Sequence, residues 1–175
     1  DRFSDVYQAI CQYLLASAKR EGEIVYAVPG HPLVAEETVQ LLLQQGPAAG
    51  VEIEIKGGHS FLDAVFTALK VDPVEGFILL DATRLVHAQL QPDMHQLICQ
   101  VYDRFVASDL KLTLMSAYPD DYPVKLITAA GDAGQEQVRS LPLYELDRLN
   151  AYGNLTTVYV PPTRDEPVLN RCFWR

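Results

Sequence analysis

The chain has 175 residues, 49 % apolar and 21 % charged, enough apolar content to pack one domain or two small ones. Fourteen basic against 23 acidic side chains give a net charge of −9, which argues against a nucleic-acid partner because phosphate binding needs a basic face. No apolar run reaches the ~18 residues of a membrane-spanning helix, so no membrane partner is expected.

The first elements read as a repeating grammar. Phe3 to Lys19 places Val6, Ile10, Tyr13, Leu14 and Ala18 at helical spacing, with Gly22 suited to a left-handed helix end. Ile24 to Val28 is a short apolar strand, predicted to be buried on both faces. It stops at Pro29-Gly30-His31-Pro32, and Val34 to Gln45 reads as the next helix, ended by Gly46-Pro47. Val51 to Ile55 alternates apolar residues with Glu52 and Glu54 and reads as a second strand. Gly57-Gly58-His59-Ser60 follows, with Ser60 the expected cap of a helix over Phe61 to Leu69. Strands that end in glycine turns and hand over to helices are the grammar of a parallel sheet, whose carboxyl edge holds ligands. A chain that opens on a helix before its first strand reads as truncated.

Past Val71 to Gly76, the best linker candidate, the pattern changes. Strands are predicted at Phe77 to Leu80, Leu97 to Tyr102, Val124 to Ala129, Gln137 to Ser140 and Thr156 to Val160. Short helices are predicted at Asp93 to Leu97, Val106 to Met115 and Leu143 to Leu149. Tyr118 to Pro123 is a turn. The order suggests an α+β second lobe with a mixed sheet. The divisions expected are 1–72 for an incomplete N-terminal α/β lobe, 73–162 for the second lobe and 163–175 for a linker. Leu169 to Arg175, with Phe173 and Trp174, reads either as the start of a further segment or as a tail packed back on the domain.

Cys11, Cys99 and Cys172 are far apart with no CxxC, which fits free thiols in a reducing, cytoplasmic setting. The four histidines form no metal-binding spacing, so no metal site is expected. His87 and His95 sit in a polar stretch and are expected on the surface, Tyr7 and Tyr13 in the core. Asp103-Arg104 and Asp147-Arg148 are read as ion pairs or helix-end charges, and Asp120-Asp121 as turn residues.

Five stretches in order, EIVYAVPGHPLVAEETV (Glu23 to Val39), GGHSFLDA (Gly57 to Ala64), Tyr102 to Leu114, YPDDYPV (Tyr118 to Val124) and LPLYELDR (Leu141 to Arg148), resemble the tetrapyrrole (corrin/porphyrin) methylase superfamily. They are most similar to its YabN-like branch, fused to a MazG-type nucleotide pyrophosphohydrolase. The resemblance runs from about Phe3 to Pro162. It implies a two-lobe α/β fold that holds S-adenosylmethionine between the lobes, and a homodimer. It assigns cofactor contacts to Pro29, Gly30, His31, Pro32 and Val34, to Gly58, His59, Ser60 and Phe61, and to Tyr102, Ala129, Ala130 and Thr156 at strand ends of the second lobe. His31 stands where the family carries Asp. The family's opening strand and Gly-Pro-Gly-Asp loop have no counterpart here, so the fragment itself is expected to be inactive.

Methyl transfer at an activated sulfonium asks mainly for placement of two partners, so no catalytic residue is assigned. His31 is read as a cleft residue or as a turn histidine bonded to backbone, and Ser60 as a helix cap that lies at a crevice. The function expected from the resemblance is that of an S-adenosylmethionine-dependent methyltransferase domain. The alternatives are a ligand-sensing module or a dimerisation scaffold for an attached pyrophosphohydrolase.

Overall fold

A computed structural model describes residues 2–163. The expectations for the linker, for Leu169 to Arg175 and for Cys172 lie outside the described residues. The chain forms two compact units, Asp1–Asp63 and Ala64–Arg175, with the division inside one helix.

The first unit is built on α1 (Arg2–Glu21) and α2 (Glu37–Gln45). Gly22 ends α1 at φ 88°, in the left-handed region predicted for it, and its N–H bonds to Ala18. The two helices meet through Cys11, Leu15 and Leu42, beside reciprocal amide bonds between Gln8 and Gln45 at 3.1 and 3.0 Å. The apolar face of α1 is therefore turned from the predicted stripe. Cys11 and Leu15 are buried, whereas Val6 and Tyr13 are exposed, Tyr13 by 68 %. Helix periodicity leaves that rotation open because both faces carry apolar residues.

α2 begins at Glu37, three residues later than predicted, because Ala35 at φ 58° takes the backbone out of helical geometry. Its end is fixed by Gly46. A Cβ there would lie 2.7 Å from both Ile53 Cγ1 and Leu42 O, so only glycine lets Ile53 pack on the helix terminus. The segment 51–55 keeps its alternation, with Val51, Ile53 and Ile55 half-buried and Glu52 and Glu54 exposed. Neither 24–28 nor 51–55 forms a strand, which corrects the predicted parallel sheet of this half. Both border one groove and no ladder joins them, and a strand needs a partner in register. The predicted two-sided burial of 24–28 is absent as well, since Val25 is 87 % exposed.

α3 (Phe61–Leu69) crosses into the second unit, whose centre is a mixed five-stranded sheet. Its strands are β1 (Phe77–Asp81), β2 (His95–Cys99), β3 (Pro123–Thr128), β4 (Gln137–Pro142) and β5 (Thr156–Val160). The order is β1-β2-β5-β3-β4, parallel between β1 and β2 and antiparallel elsewhere. β2 and β5 are buried along their whole length, as their central places require, and β4 at the edge is mostly exposed. α4 (Arg104–Met115) covers the sheet with Ala107, Leu110 and Leu114, one stripe at helical spacing. Leu143 and Leu146, from a 3-10 turn at Leu143–Arg148, close the same core. Phe66 of α3 meets Phe77 of β1 edge to face at 5.0 Å. The α/β class and the mixed second sheet thus match the expectation.

Two readings near β2 are corrected. Residues 93–97 are not a helix, because His95 to Leu97 pair with Phe77 to Leu79 on one side and Gln96 and Leu97 pair with β5 on the other. His95 is not on the surface but 6 % exposed. Its Nδ1 lies 2.7 Å from Tyr159 Oη and its Nε2 3.4 Å from Glu75 Oε2, which compensates for burying a polar ring. Lys125 lies over the Tyr159 ring. Gln96, also buried, accepts from the Gln91 N–H and donates to the Tyr118 hydroxyl. His87 is exposed as expected.

Burial lowers the His95 pKa below its ordinary 6.5 despite the nearby Glu75. The unfolded chain then takes up the proton more readily than the folded one. This contribution to stability is complete above about pH 6.5 and is lost as pH falls through the depressed folded value. Urea unfolding across this range is expected to show stability declining with acid, with a shallower decline for His95→Gln. Leu110→Ala is expected to cost about 2–5 kcal/mol in the same assay.

Candidate functional site

In the first unit the two glycine turns lie against each other. A Cβ on Gly30 would stand 3.6 Å from the His59 carbonyl oxygen, and one on Gly58 3.6 Å from the Gly30 carbonyl oxygen. One on Gly57 would stand 3.5 Å from His31 Nε2. Gly30 also has φ 87°, a conformation that strains any residue with a side chain. The two turns are therefore in contact within this unit.

His31 is half-buried and fixed in orientation. Its Nδ1 accepts from the Leu33 N–H at 3.1 Å, and its carbonyl accepts from the Val34 N–H at 3.0 Å. Its Nε2, on the other side of the ring, is turned to Gly57. The reading of His31 as a turn histidine bonded to backbone is the one seen here, with the ring beside Gly57 of the second turn. Pro29 is exposed, whereas Pro32 and Val34 are half-buried.

The second turn is locked by the start of α3. Ser60 Oγ accepts from the Leu62 N–H at 3.2 Å, and Asp63 Oδ2 accepts from the Ser60 N–H at 2.8 Å. Ser60 is thus the predicted cap, with Asp63 closing a reciprocal box. The Ser60 N–H bond holds the Asp63 carboxyl below its usual range, opposed by desolvation and aided by the Ser60 hydroxyl and His59. His59 Nδ1 is 4.0 Å from Asp63 Oδ2, and the His59 side chain is fully exposed. Phe61 is half-buried at the first position of the helix.

In the second unit the predicted positions share one edge of the sheet. Asp81 pairs with Cys99, and Thr128 with Thr156, so the ends of β1, β2 and β3 and the start of β5 lie level. Tyr102 is exposed, Ala130 half-buried and Ala129 buried. Ala129 has φ 51° and donates its N–H to the Leu155 carbonyl at 3.0 Å. Thr156 is 2 % exposed and its hydroxyl oxygen accepts from the Gly153 N–H at 3.0 Å, which shapes the loop.

Sequence reasoning missed three positions. Ala35 and Gln100 have φ of 58° and 63°, costly for residues with side chains; Ala35 follows Val34 directly and Gln100 lies two residues before Tyr102. Glu36 is a half-buried carboxyl whose pKa is raised by desolvation, directly after the first turn. No sequence signal marks a left-handed alanine or glutamine, since glycine and asparagine are the usual markers. The charged pairs are structural. Asp103 caps α4 through the Val106 N–H at 2.8 Å, Lys111 bonds Asp147 at 2.6 Å, and Arg104 donates to the Asp147 carbonyl. Asp120 accepts from the Tyr144 N–H in its turn. The Cys99 thiol is pushed up to about 11, first by burial and then by Asp81, so it is no nucleophile at neutral pH. No group of three or more His, Cys, Asp or Glu among the described residues is placed to hold a metal ion.

Residues 1–147 match the family model for Tetrapyrrole (Corrin/Porphyrin) Methylases. The uncharacterized protein YabN of Bacillus subtilis (strain 168) is 51 % identical over 173 residues, which cover 99 % of this chain and 35 % of that protein. The chain thus spans about a third of the length of the curated relative it matches. The methyltransferase CobJ superposes with a TM-score of 0.69 at 16 % identity, over 90 % of this chain and 72 % of that one. Uroporphyrin-III C-methyltransferase from Thermus thermophilus, in complex with S-adenosylhomocysteine, gives 0.63 at 17 % identity, over 87 % of this chain and 69 % of that one. At these identities the two likenesses establish the fold.

Ser60→Ala is expected to cost ~1 kcal/mol in urea unfolding, as for other helix caps. Because the Asp63 pKa is lowered in the folded state, the cap is complete above the ordinary carboxyl range and is lost as pH falls through the depressed value. The acid limb of stability in Asp63→Asn is expected to be shallower than in the parent.

Proposed function

The chain belongs to the tetrapyrrole (corrin/porphyrin) methylase family, and on that premise we propose that it is the S-adenosylmethionine-binding methyltransferase domain of a longer protein. The observation that carries the reading is the mutual approach of the turns Pro29–Pro32 and Gly57–Ser60, which lie within van der Waals reach of each other.

The residues present fit this cofactor. S-adenosylmethionine has a cationic sulfonium, an ammonium group and an apolar, hydrogen-bonding adenine. The turns offer the Gly30 and His59 carbonyls, and Val34 and Phe61 supply half-buried apolar surface nearby. His31 stands where the family carries a carboxylate, and its ring is held in place by the Leu33 N–H. Gly30, His31 and Pro32 would hold the cofactor from the first turn, and Gly58, His59, Ser60 and Phe61 from the second. Pro29 and Val34 flank the first set. Tyr102, Ala129, Ala130 and Thr156 remain candidates in their own unit.

When bound, the cofactor supplies a methyl group already activated on sulfur. What the chain contributes is placement: the Leu33 N–H fixes the His31 ring, and the Ser60–Asp63 box fixes the second turn. The Ser60 and Thr156 hydroxyl oxygens both accept from backbone N–H groups, which suits a placing role better than acid–base work. That observation also favours a second reading, a ligand-sensing module or dimerisation scaffold attached to a MazG-type nucleotide pyrophosphohydrolase. A cytoplasmic homodimer completes the proposal.

Calorimetry with S-adenosylmethionine and S-adenosylhomocysteine on the longer polypeptide tests it. Both are expected to bind, and Gly30→Val to weaken binding about tenfold or more, equivalent to ~1.4 kcal/mol. Heat from neither ligand would contradict the proposal. Binding unchanged in His31→Ala would remove His31 from the site, and binding without transfer to any acceptor would favour the sensing module.

A further inference from the structure

The chain just past the first turn holds a carboxylate that the fold itself does not use. The Val34 N–H closes the turn onto the His31 carbonyl, Ala35 then takes φ 58°, and Glu36 stands at the N-cap position of α2. Serine, threonine, aspartate and asparagine are the usual helix caps, and the Glu36 side chain makes no cap bond. Among the described residues its carboxylate has no hydrogen bond and no ion pair. It is nevertheless half-buried, and desolvation raises its pKa above the ordinary carboxyl value. A helix N-terminus favours a carboxylate but does not ask for its burial, and burial without a partner costs stability. Glu37, one residue on, already supplies an acidic side chain to the first turn of the helix. The left-handed alanine adds a second cost at the same place. Pro32 of the turn and Val39 of α2 line one groove, so the residues between them double back beside the turn. Two adjacent costs with no gain inside the fold point to a partner that arrives from outside it.

We propose that Glu36 is a cofactor-binding residue whose carboxylate accepts hydrogen bonds from the ammonium group at the amino-acid end of S-adenosylmethionine. This rests on the cofactor reading above and deepens it. The cofactor has two cationic centres of different chemistry. The ammonium carries N–H donors, whereas the sulfonium carries none, so only the ammonium satisfies an unbonded carboxylate. Other groups at the two turns are already engaged. His31 Nδ1 accepts from the Leu33 N–H, and Asp63 accepts from the Ser60 N–H. Glu36 would thus bring, from the start of α2, the negative charge that the family resemblance places within the turn at position 31. A charge-assisted pair in a half-buried place also gains strength from the reduced solvent around it.

Calorimetry on the longer polypeptide tests this with S-adenosylhomocysteine and its deaminated analogue, which has a keto group in place of the amine. The parent is expected to bind the analogue about tenfold more weakly, or worse. In Glu36→Gln, which keeps size and shape, S-adenosylhomocysteine is expected to lose about that factor while the analogue binds as it does to the parent. The two ligands then become nearly equal, the sign of a direct coupling between carboxylate and amine. Discrimination that persists in Glu36→Gln would overturn the proposal. An equal loss for both ligands would do the same, since the substitution would then be acting on the turn and not on the amine. Equal binding of both ligands by the parent would overturn it without any variant. Heat from neither S-adenosylmethionine nor S-adenosylhomocysteine on the parent would remove the cofactor reading and this proposal together, and so separates the two failures.

Discussion

The antiparallel pairing of β5 with β2 and β3 holds the second unit together. β5 carries Thr-Thr-Val-Tyr-Val, buried at every position, and it joins a parallel pair to an antiparallel hairpin. Without it, β1 and β2 would be separated from β3 and β4, and α4 would have no continuous surface to cover. The same pairing buries His95 beside Tyr159 and brings the ends of β2 and β3 level with Thr156. The backbone strain at Gln100 and Ala129 sits at those ends and is sustained by the sheet beneath it.

The first unit shows the complementary case. Its helices pack, its turns touch, and its two strand-like stretches have sequences suited to a sheet. What is absent among the described residues is a partner strand, and with it the ladder. Propensity and alternation describe what a segment can do, while a strand exists only through its neighbour. This is why Ile24 to Val28 and Val51 to Ile55 were legible as strands in the sequence yet are not strands in this fold.

Other parts of the fold were readable for reasons that are local. α3 begins at Phe61 because Ser60 caps it, and α4 is set by its own apolar stripe and Asp103. The turns at Gly30 and Gly58 were legible because glycine and proline punctuate the chain there. His95 was misplaced because a strand that starts in a polar stretch shows its burial only through partners at residues 75 and 159. The rotation of α1 was hidden by its second apolar face. For the site, the two turns could be named from motifs, but Ala35, Glu36 and Gln100 carry ordinary side chains and reveal themselves only through backbone angle or burial.

Co-crystals of the longer polypeptide with S-adenosylhomocysteine test most directly whether the two turns form a cofactor site. The ligand is expected in van der Waals contact with the backbone at Gly30–Pro32 and Gly58–Ser60, with the His31 Nδ1 bond to the Leu33 N–H retained. Ligand bound away from both turns, or turns closed on each other with no ligand at saturating concentration, would contradict it.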